Sequence, residues 1–387
     1  MLSNSQRRHV VRSLLLLAAA AGVCVTGCAA TKSKARTSAQ PQRTSEVGAS
    51  RFPVVHEDWA NLGYRLDWVG FPFPNATLKS RVVAMSVFAD CVAVQEGGST
   101  ITLMESTTGQ NRWSDELTGP LTKWVGIVRE PGDAGRLLVC SESELFMLSL
   151  GTGNLVGREP FARVVNTAPM LVGTHAINGT STGVVQAHMI GRGLPAWAFS
   201  SKGSIDQPLL EVGGFIAAVS QGGDVLFLTG SGNLVGRARI FGGLDAPPAT
   251  DGQNLFIAGR DQSVWAFDSA GATLWRYRTP NPLNQAPVFH NGTLYVDLGQ
   301  EGLSAFDPAT GTVKWSNKDV HGSIVAVRSG RLLVRDAAGM SVVDPARGDR
   351  MERVELPGVT RITTDKFEDG NVYCVSDEAV VAKFMPR

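Results

Sequence analysis

Three kinds of residue in this chain could do chemistry: histidines and cysteines, acids that recur in turns, and glycine pairs of the sort that cradle phosphate. His56, His175, His188, His290 and His321 are scattered, and only His175 and His188 share a repeat, so no pair has the close spacing that puts two imidazoles on one metal. Glu105, Asp268, Asp307 and Asp344 have side chains suited to acid–base work. Each, however, stands at the same place in its repeat, which hairpin geometry explains better than one shared site. Gly97-Gly98, Gly213-Gly214, Gly222-Gly223 and Gly242-Gly243 would suit phosphate only if a helix carrying a lysine followed, and none does. They read as turns. The expectation is therefore no catalytic residue, no cofactor and no metal.

The cysteines divide into two groups. Arg7, Arg8 and Arg12 precede an apolar run from Leu14 to Val25, which fits a secretory signal and is too short to span a bilayer as an ordinary helix. Val25-Thr26-Gly27-Cys28 then resembles a bacterial lipobox, in which the cysteine sulfur is lipidated and the residue becomes the new N-terminus. Residues 1–27 read as a lipoprotein signal peptide and Cys28 as the lipid attachment site, with Ala29 next to it implying transfer to the outer membrane. Residues 28–50 are polar and aperiodic, a flexible tether with a root-mean-square span on the order of 25 Å. The compartment would be oxidising, so Cys91, Cys140 and Cys374 could supply at most one disulfide; buried free thiols are the simpler reading.

What must hold these residues is a repeat. Gly109, Gly153, Gly193, Gly232, Gly271, Gly311 and Gly348 recur at spacings of 44, 40, 39, 39, 40 and 37 residues, and Trp113, Trp197, Trp275 and Trp315 each lie four residues after one of them. A period near 40 signals a solenoid, an array or a propeller. Residues 286–317 divide into four strand-length stretches rich in β-branched and aromatic residues, separated by Asn291-Gly292, the preferred dipeptide of a two-residue hairpin, and by Thr310-Gly311, which should close comparably. Four antiparallel strands in 40 residues make one propeller blade. The recurring indole should pack on the adjoining blade as a core residue.

Seven full units fit between about residue 81 and residue 356, and residues 360–387 supply three more strands. The missing outer strand is available in Tyr64-Arg-Leu-Asp-Trp68, which has no blade of its own. The expected fold is all-β: an eight-bladed propeller over residues 51–387, its last blade closed by an N-terminal strand that leaves no open edge. Composition agrees, with 43 glycines among 387 residues and 18% charged residues. Once residues 1–27 are removed, 33 basic residues face 35 acidic ones, a net charge of −2 without a basic stripe. That excludes nucleic acid as a partner. Two rim segments are unusual: Arg129-Glu-Pro-Gly-Asp-Ala-Gly135 lengthens the second blade and should project, and Phe71-Pro-Phe-Pro74 holds two aromatics that should pack down onto the ring.

The runs AFDPATGTVKW, AFDSAGATLWRY and LMESTTGQNRW resemble the quinoprotein, or PQQ-like, propeller repeat, and with the lipobox and eight blades the whole chain resembles the BamB-type lipoproteins of the outer-membrane β-barrel assembly machinery. The resemblance implies a monomeric, non-catalytic propeller on the periplasmic face of the outer membrane. It would be held there by lipid and serve as a protein-binding scaffold for envelope proteins, the assembly machinery among them. Quinone-dependent dehydrogenases share the repeat, and a PQQ enzyme is one alternative. Those enzymes commonly carry a disulfide of adjacent cysteines, and this chain has no Cys-Cys pair and no Cys-x-x-Cys-His. An envelope lipoprotein binding a polysaccharide or another protein is the other.

Overall fold

The computed structural model describes residues 52, 56–73, 81–119, 122–132 and 135–387, so Cys28, the signal peptide, the tether and Pro74 lie outside the described residues. The strands form eight four-stranded antiparallel sheets, seven of them in simple chain order. Blades 1 to 7 occupy residues 82–116, 124–160, 170–200, 210–239, 249–278, 288–317 and 323–355. Blade 8 takes three strands from residues 359–386 and its outer strand from Tyr64–Gly70, which pairs with Val381–Pro386. The expected closure by an N-terminal strand is what the molecule has. Lys383 and Asp67 form an ion pair of 2.9 Å across that closing pair of strands.

The burial pattern follows from the stacking of blades. Each middle strand is covered on both faces, so sequences such as RLLVCS and ELFMLS run almost continuously apolar. Hydrophobic clusters lie between neighbouring blades, not within one: Leu103 and Trp113 of blade 1 meet Leu137, Val139 and Phe146 of blade 2. Tyr373 and Val381 of blade 8 likewise meet Val92, Val94 and Met104 of blade 1.

The indole and the glycine form one joint. The ring of Trp113 lies against Gly153 of the next blade, where an added Cβ would sit 2.6 Å from it, and the indole N–H donates to Leu150 O at 2.9 Å. Trp197 meets Gly232, Trp275 meets Gly311 and Trp315 meets Gly348 in the same way. Trp68 of the closing strand is a fifth copy: its ring covers Gly109 of blade 1 and its N–H donates to Ser106 O at 3.0 Å. Blade 4 lacks the indole because Gly236 lets the backbone of Ala270 and Gly271 approach directly.

Asn291-Gly292 turns as expected, with φ of +46° and +70°. Thr310-Gly311 does not. Only Gly311 has positive φ; its N–H donates to Asp307 O, Asp307 Oδ1 accepts from the N–H groups of Ala309 and Thr310, and the strand pair slips register beside it. A four-residue turn with a bulge replaces the two-residue hairpin, because the Asp307 carboxylate organises the turn itself.

Ahead of the closing strand is a short helix, His56–Asn61, that sequence periodicity did not reveal. Its Trp59 is 1% exposed, stacked on Phe384 at 3.8 Å and edge-on to Tyr64 at 6.5 Å. Arg328, the last residue of blade 7's first strand, donates to Gly63 O and Arg387 O and pairs with Asp369 at 2.6 Å. One side chain thus holds both strands of the seam. The blade 8 loop carrying Asp369 reaches across blade 7, where Phe367 O accepts from Val327 N–H and Phe367 packs 5.3 Å from His290.

Candidate functional site

The antiparallel topology sends the loops joining first to second strands, and the turns joining third to outer strands, to one face of the ring. Second-to-third turns and blade-to-blade connections emerge on the other. Rigid blades carrying variable loops are the usual platform for binding.

The residues singled out for chemistry are engaged in structure. Asp268 and Asp344 accept N–H groups of their own turns as Asp307 does, with Asp268 receiving Ala270 and Ala272 and Asp344 receiving Ala346 and Arg347. The N–H groups of Thr310 and Ala309 draw the Asp307 carboxyl below its ordinary pKa. Glu105 departs from this pattern and grips Arg112 with both oxygens at 2.7 and 2.8 Å, which lowers its pKa. His188 is buried and bonded through Nε2 to Glu159 of the neighbouring blade at 2.7 Å, with Phe161 edge-on at 5.1 Å. His175 sits on the adjoining strand of the same blade without joining that pair. His321 lies 3.6 Å from Asp297, and the His56 side chain is outside the described set.

Cys91, Cys140 and Cys374 are all buried and free. Burial, with Asp90 nearby, pushes the Cys91 thiol up to about 12, and burial also raises Cys140 and Cys374 well above the ordinary thiol range. Among the described residues no group of three or more His, Cys, Asp or Glu side chains is arranged to hold a metal, and no helix is long and apolar enough to cross a membrane.

Of the two rim segments, Phe71 and Phe73 pack against core clusters, and Phe71 O and Pro72 O accept hydrogen bonds from Asn111 and Thr102. The loop after Arg129 is held at its base by the Arg136–Glu130 and Arg129–Asp90 pairs, with Pro131 and Gly132 exposed; Asp133 and Ala134 lie outside the described residues.

Among the described residues eight of the ten exposed large apolar side chains lie on or between blades 2 to 5, with Val83 on blade 1 and Met351 on blade 7 the other two. Leu155, Val156, Leu194, Leu234, Val235 and Leu274 stand at the starts of the outer strands of blades 2 to 5, just after the turn glycines. Val164 and Phe241 stand on the connection face of the same half of the ring. That face also carries a polar chain from blade to blade: Lys123 donates to Asn166 at 2.5 Å, Asn166 to Asp206 at 2.5 Å, and Gln207 to Asp245 O at 3.1 Å. Blades 2 to 5, opposite the seam, therefore present most of the exposed apolar side chains on the turn face, and Val164 and Phe241 beside ordered polar groups on the connection face, the latter the composition of a protein interface.

The profile of the family described as "Outer membrane protein assembly factor BamB" matches residues 97–244 and 232–384, which takes in blades 2 to 7 and parts of blades 1 and 8. The chain belongs to the BamB family. A relative named outer membrane protein assembly factor BamB, from Bordetella pertussis, is 31% identical over 104 residues, or 27% of each chain, so the alignment spans about a quarter of that protein. The solved structure of BamB from Moraxella catarrhalis superposes with a TM-score of 0.61 at 18% identity, covering 80% of this chain and 99% of that one. The solved structure of the computationally designed Ika8 protein gives 0.62 at 14% identity over 79% of this chain and 96% of its own. At such identities the two structures attest the fold alone. The BamB-like PQQ-repeat propeller read from the sequence is the family and the fold found.

Proposed function

We propose that this BamB-family chain is a non-catalytic scaffold for the assembly of outer-membrane β-barrel proteins, anchored by lipid on Cys28 at the periplasmic face of the outer membrane. On this reading residues 1–27 are a cleaved signal peptide, residues 28–50 a tether, and residues 51–387 the propeller that meets its partner. The carrying observation is that the family match runs from blade 1 into blade 8 while eight of the ten exposed large apolar side chains of the described residues gather on one half of the ring. A lipid anchor on a flexible tether would leave that half free to turn toward a membrane-embedded partner. The turn carboxylates Asp268, Asp307 and Asp344 are already occupied by backbone N–H groups, in keeping with a protein that binds and does not catalyse.

The test is a mild-detergent pull-down of the tagged full chain and of Cys28→Ala. Recovery of the barrel insertase with the intact chain, weakened by Cys28→Ala, is the expected result. Its consistent absence, with the propeller folded and membrane-bound, would remove the assembly role.

A further inference from the structure

Fifteen of the sixteen phenylalanines are buried or half-buried, and Phe241 alone is exposed, at 78%. It lies on the connection between blades 4 and 5. Its flanks, Ile240 and Leu244, are 1% and 0% exposed, so the loop is pinned at both ends while this one ring is thrown outward.

The ring is also held in place. Phe241 N–H donates to Asp261 Oδ2 at 3.2 Å, and the same carboxylate accepts from Trp265 Nε1 at 3.0 Å. Arg276 lies 3.6 Å from that carboxylate, donates to Ser263 Oγ, and spreads its guanidinium 4.2 Å over Trp265 and 5.6 Å from the Phe241 ring. An apolar side chain fixed in this way has little ordering left to lose on association, which is the property of an anchor residue.

The surroundings set the partner's chemistry. Arg239 and Arg260 are exposed on either side, and Arg276 lies beneath. The Asp261 carboxylate is buried against Arg276, Asp245 lies 3.6 Å from Arg260, and the exposed Asp206 stands on the preceding connection, where Asn166 donates to it. We propose that Phe241 anchors a docking site for a protein whose apolar pocket is rimmed by carboxylates. The inference rests on the scaffold reading only in requiring a protein partner, whichever protein that is. A membrane is the less suitable occupant, because Phe241 is a single exposed ring and Val164, the other exposed large apolar side chain of that face, stands two connections away.

The experiment places a benzophenone amino acid at position 241 of the full-length chain in cells, with position 155 as a second site, and maps adducts by mass spectrometry. It is paired with Phe241→Ala and Arg260→Glu, whose melting temperatures should match the parent. The expected result is an adduct from 241 at an apolar site flanked by Asp or Glu, with binding of that protein weakened at least about tenfold by either substitution. If the trapped protein is the barrel insertase, the assembly role stands as well; if it is another envelope protein at such a site, the inference stands and the assembly role falls. Adducts only to lipid or to a second copy of this chain overturn the inference. So does no adduct from 241, or undiminished binding by Phe241→Ala, even where the insertase is trapped from position 155.

Discussion

Trp68→Ala should strike the ring at its seam. The indole is 5% exposed, covers Gly109, donates to Ser106 O at 3.0 Å and meets Tyr373 edge-on at 6.1 Å, so the substitution empties a site shared by blades 8 and 1. Truncating a buried aromatic costs about 3–5 kcal/mol, of which the indole hydrogen bond is about 1. The unfolding entropy of a chain this long is on the order of 0.7 kcal/mol per kelvin, so the midpoint should fall by about 4–7 °C if unfolding stays cooperative. Trp68→Phe, which keeps a ring and loses the N–H, should lose about a third as much. Thermal unfolding followed by circular dichroism reads the shift, and limited proteolysis reads release of Tyr64–Gly70 from blade 8. A Trp68→Ala protein melting within about 1 °C of the parent, with that strand still protected, would refute the joint as a source of stability.

Gly311→Ala should cost about 2–4 kcal/mol in urea unfolding, since a residue at φ +71° is strained and the new Cβ meets the Trp275 ring at 2.6 Å. Arg328→Ala removes donors to Gly63 O and Arg387 O and the Asp369 pair; because Asp369 is half exposed, the expected loss is about 1–3 kcal/mol, with protease cleavage appearing in residues 365–371. The three described thiols should resist alkylation at pH 8 in the native protein and react on unfolding; fast labelling of Cys91 in the folded state would contradict its burial. Stability should fall at both ends of the pH scale, as denaturation midpoints taken against pH would register. Burial alone would raise the carboxyl of Asp224, but the Lys202 N–H and Arg237 outweigh it, so its folded pKa is depressed and its contribution, present above the unfolded value near 3.8, is lost in acid. Tyr64 is raised by burial from 10.0 to about 12, so its contribution is full below pH 10 and is lost as pH climbs toward 12.

The ring was legible because two residue types mark the same joint in successive blades. A glycine that must turn at positive φ and an indole that must lie on it recur together, so period, register and interblade contact could all be read from Gly311 and Trp315. Where a different device fills the joint the signal vanishes: Gly236 replaces an indole by letting backbones meet. The helix His56–Asn61 is too short for periodicity to appear, though it carries the buried Trp59. Turn type at Asp307 was misread because an acid four residues before the glycine organises the loop through its side chain. The His188–Glu159 bond joins positions 29 apart in neighbouring blades, beyond the reach of any local pattern. Phe241 was hidden for a related reason: in the sequence it is one apolar residue among Ile240, Phe241 and Leu244, and only packing decides which of the three is left outside.

The chain-crossing of blade 8 also orders events in time. Blades 1 to 7 pair strands close in sequence and can form one after another as the chain emerges, whereas Tyr64 must wait for Pro386, more than three hundred residues later. Until then Tyr64–Gly70 has no partner and the outer wall of blade 7 is bare of the cover that Trp59 supplies. A chain of this design therefore spends the whole of its synthesis with one strand unpaired and one apolar wall uncovered, and that interval is when aggregation or proteolysis would claim it. Swapping that strand to the other end of the chain by circular permutation, so that blade 8 becomes contiguous, should speed refolding without altering the finished ring.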